Sequence, residues 1–398
     1  MEKRSVYLDY NATTPLHPDV KAAMVEAFEL FANPSSLHDP GRKARNAIEM
    51  VRQEIASFLK ASPEEIIFTG CGSESNNTVL KMLACPGCSK ECVCSKGRQE
   101  LITTAIEHPS VLHTARYLSS IGHRVHILPV DSYGKVDLKA YQAALSERTG
   151  LVSIMFANNE IGTIQDIKLL AQLAHQAGAL FHTDAVQAVG RLKVDLEELG
   201  VDYLSFSGHK FYGPKGVGVL YVRKNRPFCT FIHGGHQESG RRAGTMNTLA
   251  IIGMGKALQL IKEEMGEINQ RLANLKAKLK EGILAKIPDI HLNGHPTDSL
   301  PNTLNVSFNG AEGESILLYL DLEGIAVSTG SACSSGTLEP SHVILATGLG
   351  AELAHGSIRF SLGRETTEED IEYVLAKLPP IIEKVRSMST VYSSGGCR

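Results

Sequence analysis

The stretch Ser205-Phe206-Ser207-Gly208-His209-Lys210-Phe211-Tyr212-Gly213-Pro214-Lys215-Gly216 brings a hydroxyl, an imidazole and an amine to one turn. A lysine amine becomes a useful nucleophile when its site holds it unprotonated, and its characteristic work is a Schiff base with a carbonyl. Ser207 and His209 are hydrogen-bonding groups suited to an anionic phosphate. A lysine that tethers pyridoxal 5'-phosphate (PLP) needs this set, although a buried strand ending in a solvated lysine would also produce it. A second stretch, Phe181-His182-Thr183-Asp184-Ala185-Val186-Gln187, reads as a strand ending in polar groups. The PLP pyridine nitrogen needs a carboxylate to keep it protonated, so that the ring can act as an electron sink. Asp184 is the candidate, and Gln187 can hydrogen-bond the ring hydroxyl. An aspartate at such a turn is equally a helix cap.

Other candidates fall along the chain. Ile66-Ile67-Phe68-Thr69 is a short apolar strand, and Gly70-Cys71-Gly72-Ser73-Glu74-Ser75-Asn76-Asn77 opens a helix after it. Free backbone N–H groups and the positive end of the helix dipole suit a phosphate there. Gly72 and Ser73 are the expected cradle, and Cys71 is expected to be a small buried packing residue. His108, in Glu107-His108-Pro109, sits on a restrained turn after the strand Leu101 to Ile106. Asn159 follows the strand Leu151 to Phe156 and is a candidate contact to the cofactor ring or substrate, or else turn chemistry. Arg359 stands between Ile358 and Phe360 in a strand pattern, and its planar two-pronged donor is a natural partner of a substrate carboxylate. Cys333, in Ser331-Ala332-Cys333-Ser334-Ser335-Gly336, sits among small hydroxylated residues, the composition of a mobile, exposed loop. Its thiolate would be the reactive form. Cys85, Cys88, Cys92 and Cys94 place four thiols in a short span that suits zinc or an iron–sulfur cluster, or forms an oxidisable loop. Cys333 is a further candidate ligand shared with such a cluster.

From Tyr7-Leu8-Asp9-Tyr10-Asn11-Ala12-Thr13-Thr14-Pro15 to the C-terminal region, these motifs resemble the NifS/IscS-type cysteine desulfurases, which are fold-type I PLP enzymes. The resemblance covers nearly the whole chain. It implies an α/β fold with a mostly parallel seven-stranded sheet flanked by helices and a smaller α+β C-terminal domain. It implies that L-cysteine is converted to L-alanine and that Cys333 accepts the sulfur as a persulfide. That sulfur would pass to an iron–sulfur scaffold protein or another acceptor. The resemblance also implies that the His108 imidazole stacks on the PLP ring and assists proton transfers. Thr245, in Gly234-Gly235-His236-Gln237-Glu238-Ser239-Gly240-Arg241-Arg242-Ala243-Gly244-Thr245, matches a threonine that reaches the phosphate of the partner subunit's cofactor, which implies a homodimer. A selenocysteine lyase or another fold-type I enzyme, and a sulfur- or metal-relay scaffold, remain open beside this reading.

The elements must position these groups together. Short strands and helices alternate from about residue 60 to 225, which argues for a largely parallel sheet whose ligands sit beyond the carboxyl ends of its strands. A helix expected from Gly255 to Lys286 would bridge a large domain, 16–255, to a small one built from 1–15 and 256–398. A chain of 398 residues can bury two cores. Hydrophobic content of 43% with 21% charged residues is that of a soluble globular protein, and a net charge of -3 offers no case for nucleic acid or an anionic membrane. No apolar run approaches the ~20 residues that span a bilayer. The first motif begins almost at Met1, leaving no room for a targeting peptide. Eight cysteines, unevenly spread, suit thiol or metal chemistry in the cytoplasm.

Overall fold

The structure is a computed structural model, and it describes residues 4–85, 97–329 and 339–389. The strands are β1 (Val6–Tyr7), β2 (Ile66–Thr69), β3 (Glu100–Thr104), β4 (Val125–Leu128), β5 (Thr149–Ser153), β6 (Leu180–Asp184), β7 (Tyr203–Ser207), β8 (Gly218–Val222), β9 (Ile290–Asn293), β10 (Thr303–Phe308), β11 (Ile325–Ala326) and β12 (Ser357–Ser361). Seven of them form one sheet in the order β2-β8-β7-β6-β5-β3-β4. Only β8 runs against its neighbours, so the expected mostly parallel sheet is present. A sheet covered on both faces must be apolar on both, and β2, β3, β5, β7 and β8 are buried at every residue.

Polar residues inside this sheet are paired across strands. His182 on β6 meets the Ser153 hydroxyl on β5 through Nδ1 at 2.8 Å and the Ser205 hydroxyl on β7 through Nε2 at 2.9 Å. Burial pulls its pKa down to about 3, so the ring is neutral and stitches three strands together. His182 and Asp184 are two apart on one strand and therefore share a face. The register of the carboxylate is set by the ladder beneath it.

The helix Asp39–Leu59 shows how local sequence becomes packing. His38 caps it by accepting from Gly41 N, and Ala44, Ile48, Val51, Ile55 and Leu59 recur on one buried face. That face meets the long helix Thr248–Lys286, where a side chain on Gly255 would strike Val51 at 2.7 Å. The long helix begins earlier than the periodicity from Gly255 suggests, because Asn247 caps it by accepting from Ala250 N. Its Ala250–Ile261 portion lies in the core under the large sheet. Leu272, Leu275, Leu279 and Ile283 lie in a second core with Val6, Leu8, β10, β12 and the helix Glu368–Met388. Each fully buried Leu or Phe in these cores contributes roughly 1.5–3 kcal/mol. A three-stranded antiparallel sheet, β12-β10-β9, and the parallel pair β1-β11 complete this second region. Asp9 bridges to Ser361 and Ser328 to Arg359, so the N-terminal segment and β11 both join the edge of β12.

Candidate active site

A cavity of about 320 Å³ lies beyond the carboxyl ends of β2, β3, β5, β6 and β7. Lys210, Asp184, Gln187, His108, Gly72, Ser73, Asn159, Ser207, His209 and Arg359 all line it. Each sits at or just after the carboxyl end of a strand of the large sheet except Arg359, which comes from β12 of the second sheet.

The amine is held by main chain. Lys210 ends a 3-10 turn, Gly208–Lys210, and its Nζ donates to the Asn11 carbonyl at 2.6 Å and the Ala12 carbonyl at 2.7 Å. Two residues on, Tyr212 has φ of 67°, a left-handed conformation that a bulky residue adopts only under constraint. The constraint is local: Tyr212 N donates to Thr14 Oγ1 at 2.7 Å, while Thr14 N and Oγ1 both donate to the His209 carbonyl. The segment around Asn11 to Thr14 thus holds both the lysine and the turn that presents it.

Asp184 is 5% exposed, and its two oxygens are separately engaged. Oδ1 accepts from Val186 N at 2.9 Å, and Oδ2 accepts from Asn76 Nδ2 at 2.7 Å. Asn76 comes from the helix Gly72–Leu80 and was not anticipated from the sequence, where it reads as one polar residue among several in Ser73–Asn77. His108 caps the helix Pro109–Ser120, its Nδ1 accepting from Ser110 N at 3.1 Å. Burial lowers its pKa, with the Asp184 carboxylate opposing and the Lys210 charge adding to the shift. A neutral ring whose Nδ1 accepts carries its proton on Nε2.

At the other end of the cavity the helix Gly72–Leu80 starts without a side-chain cap. Its first N–H groups therefore remain available to an anion. A Cβ on Gly72 would come within 2.7 Å of Val186 Cγ2, so only glycine leaves this approach open. His209 Nδ1 meets Thr13 Oγ1 at 3.1 Å, and its pKa is down to about 4 through burial and the Lys210 and Lys215 charges. Ser207 Oγ donates to the Val217 carbonyl at 3.3 Å. Cys71 is half-buried and lines the cavity instead of packing in the core, because its extended backbone turns it outward ahead of the helix.

Arg359 is 4% exposed. Its Nη2 pairs with Asp9 Oδ1 at 2.7 Å, its Nη1 donates to the Asn159 carbonyl at 3.1 Å, and its Nε has no partner among the described residues. An orphaned donor on a guanidinium that lines a cavity is ready for a ligand acceptor. Asp9 is another group the sequence reading passed over, quoted within a motif but given no role.

These residues fit PLP: a buried carboxylate, an amine and an uncapped helix start face one space, with a guanidinium at its edge. Thr245 is exposed and does not line this cavity. Cys85 is half-buried just after the 3-10 turn Lys81–Ala84. Cys88, Cys92, Cys94 and Cys333 lie outside the described residues. Among the described residues no group of three or more His, Cys, Asp or Glu side chains could hold a metal, and no helix is long and apolar enough to cross a membrane.

Comparison with known proteins agrees with this geometry. The model of the aminotransferase class-V family matches residues 6–374. The cysteine desulfurase IscS of Dictyoglomus turgidum is 51% identical over 388 residues, covering 97% of this chain and 97% of that protein. The cysteine desulfurase NifS of Azotobacter vinelandii is 47% identical over 397 residues, covering 98% and 96%. A solved NifS-like protein superposes with a TM-score of 0.88 at 40% identity, covering 96% of this chain and 100% of that one. SspA, solved in complex with cysteine, gives a TM-score of 0.78 at 36% identity over 90% of this chain and 99% of its own. The chain belongs to the aminotransferase class-V family, among its cysteine desulfurases of the IscS/NifS type.

Proposed function

We infer that the protein is a PLP-dependent cysteine desulfurase, converting L-cysteine to L-alanine and keeping the sulfur as a persulfide on Cys333. The observation that carries this reading is the meeting of Lys210, Asp184 and Arg359 in one cavity. The cofactor, when bound, supplies an electron sink for the charge left at the substrate's Cα. The chain's own residues do the rest. Lys210 would tether the cofactor and move the Cα proton, Asp184 would hold the pyridine nitrogen protonated, and Gln187 would hydrogen-bond the ring hydroxyl. Gly72, Ser73, Ser207 and His209 hold the phosphate. Asn159 would contact ring or substrate, and His108, neutral with its proton on Nε2, would assist proton transfer. Arg359 takes the substrate carboxylate with its Nε, which has no partner among the described residues. The Cys333 thiolate forms a bond to the substrate sulfur as the carbon–sulfur bond breaks, and the electron pair remains with the alanine fragment until it is protonated.

The sulfur passes to an iron–sulfur scaffold protein or another acceptor. The protein is a homodimer in which Thr245 completes the partner's phosphate site, which is supported by Phe28, Phe31 and Leu37 standing 63%, 85% and 82% exposed. The separate cores support a division close to 16–255 and 1–15 with 256–398, the first core reaching as far as Ile261. A transferable persulfide suits the reducing cytoplasm. The thiols of Cys85, Cys88, Cys92 and Cys94, with Cys333 as a shared ligand, are assigned zinc or an iron–sulfur cluster; anaerobically purified protein free of both metals refutes that assignment.

The central test is alanine release from L-cysteine under reducing conditions, wild type against Cys333→Ala. Alanine from the wild type alone supports the persulfide route. Equal release from both would make the enzyme a lyase and remove Cys333 from the reaction.

A further inference from the structure

Gln187 and Arg191 are held together behind the cavity. Arg191 Nη1 donates to Gln187 Oε1 at 2.9 Å and to the Gln187 carbonyl at 3.2 Å. At the other end of the same amide, Gln187 Nε2 donates to the Asn11 carbonyl at 3.0 Å. A guanidinium carries only donors, so the glutamine atom facing it must be oxygen. A carbonyl only accepts, so the atom facing Asn11 must be the amide nitrogen. Two independent contacts therefore set one orientation for the amide. The nitrogen has a second N–H, on a side chain that lines the cavity.

Arg191 is itself unusual. It is 8% exposed, and among the described residues it forms no ion pair with a carboxylate. Burial brings its pKa down to about 10, which leaves it cationic at neutral pH. A buried charge without a counter-ion is unfavourable unless its surroundings use it. Both the fixed donor and the uncompensated cation favour an anionic oxygen on the cavity side.

We propose that Arg191 is a positioning residue for the cofactor: by holding Gln187 Oε1 it fixes Gln187 Nε2 as a donor toward the cavity and so selects the ionised form of the ring oxygen. The inference rests on the reading of Gln187 as the contact to the ring hydroxyl. The Asn11 carbonyl sets the same orientation from the other end of the amide but brings no charge, and Arg359 is engaged with Asp9.

The test uses the full chain and PLP itself. Its dissociation constant and the pH titration of its visible absorption are measured for wild type, Arg191→Met, Arg191→Lys, Gln187→Met and the Gln187→Met/Arg191→Met pair. Arg191→Met is expected to weaken PLP binding about tenfold and to shift the visible titration. Arg191→Lys, which keeps a charged donor, should recover most of both. On the Gln187→Met background, Arg191→Met should add less than about twofold. Equal losses in both backgrounds would show that Arg191 acts through general packing and overturn the proposal. An effect of Gln187→Met with none from Arg191→Met overturns the positioning role alone. Unchanged binding and titration in Gln187→Met would instead remove the ring-contact reading of Gln187, and the inference with it.

Discussion

The cavity has two walls built by different means. One is a row of strand ends from a single sheet, where Asp184 closes β6 and Gly72, His108, Asn159 and Lys210 each follow a strand by a few residues. Their spacing is inherited from the main-chain ladder and from the His182 bridge to Ser153 and Ser205. The other wall comes from the two ends of the chain, with Asn11 and Ala12 from the N-terminal segment and Arg359 from β12, which Asp9 holds from behind. It is joined to the first by polar contacts: Lys210 Nζ to two carbonyls, Asn11 Nδ2 to the Asn159 carbonyl, and Arg359 Nη1 to the same carbonyl. Groups assigned to the cofactor stand mostly on the rigid wall. The group assigned to the substrate stands on the wall held by contacts that a carboxylate can exchange for its own.

The largest effect should come from the rigid wall. Lys210→Ala should lower desulfuration of L-cysteine by about 10⁴-fold, the upper range for losing a positioned proton-transfer group. Substantial activity in that variant would take the lysine out of the site. On the second wall, Arg359→Lys keeps the charge but loses the fork, and kcat/KM should fall about 10²-fold. The cofactor's absorption spectrum should be unaltered; a variant that also loses its cofactor would erase the distinction between the walls.

A buried carboxyl behind the rigid wall offers a test by pH. Glu107 is fully buried, accepts from Thr104 Oγ1 and Met155 N through Oε1, and has its pKa raised to about 8 by burial. The folded protein thus keeps a proton that the unfolded chain releases near its ordinary value of 4.5. This stabilisation is complete below that value, declines as pH rises, and is lost through about pH 8. Glu107→Gln does not titrate, so its stability relative to wild type should rise by about 1.4 kcal/mol per pH unit across that window. Denaturant midpoints measured at several pH values read this directly, and parallel profiles would mean that Glu107 is ionised in the fold. Smallest of all, Asn76→Leu should weaken PLP binding about fivefold by removing the donor to Asp184 Oδ2. Unchanged affinity would show that the ladder beneath Asp184 is enough to aim it.

The rigid wall was the legible one. Strand runs such as Ile66–Thr69 and the polar residues after them announce themselves locally, since apolar runs, turns and helix starts are short-range features. Boundaries moved by a few residues: the run Leu151 to Phe156 corresponds to a strand at Thr149–Ser153, because pairing with β3 and β6 decides where a ladder ends. Asn76, Asp9, Asn11 and Arg191 carry no local signal. Each is an ordinary polar residue until folding supplies its partner, which for Asp9 and Arg359 lies across 350 positions.

The sequence alone therefore determined the alternation of strands and helices, the sheet's class and the set of chemical groups at its carboxyl edge. Periodicity and turn chemistry act over a few residues and need no partner. Tertiary structure decided which oxygens and nitrogens those groups meet. It set the orientation of Gln187, the two donors on Asp184 and the carbonyls that hold Lys210. Hydrogen bonds depend on angles and distances within a few tenths of an ångström, and between residues far apart in the chain only the packed fold supplies them.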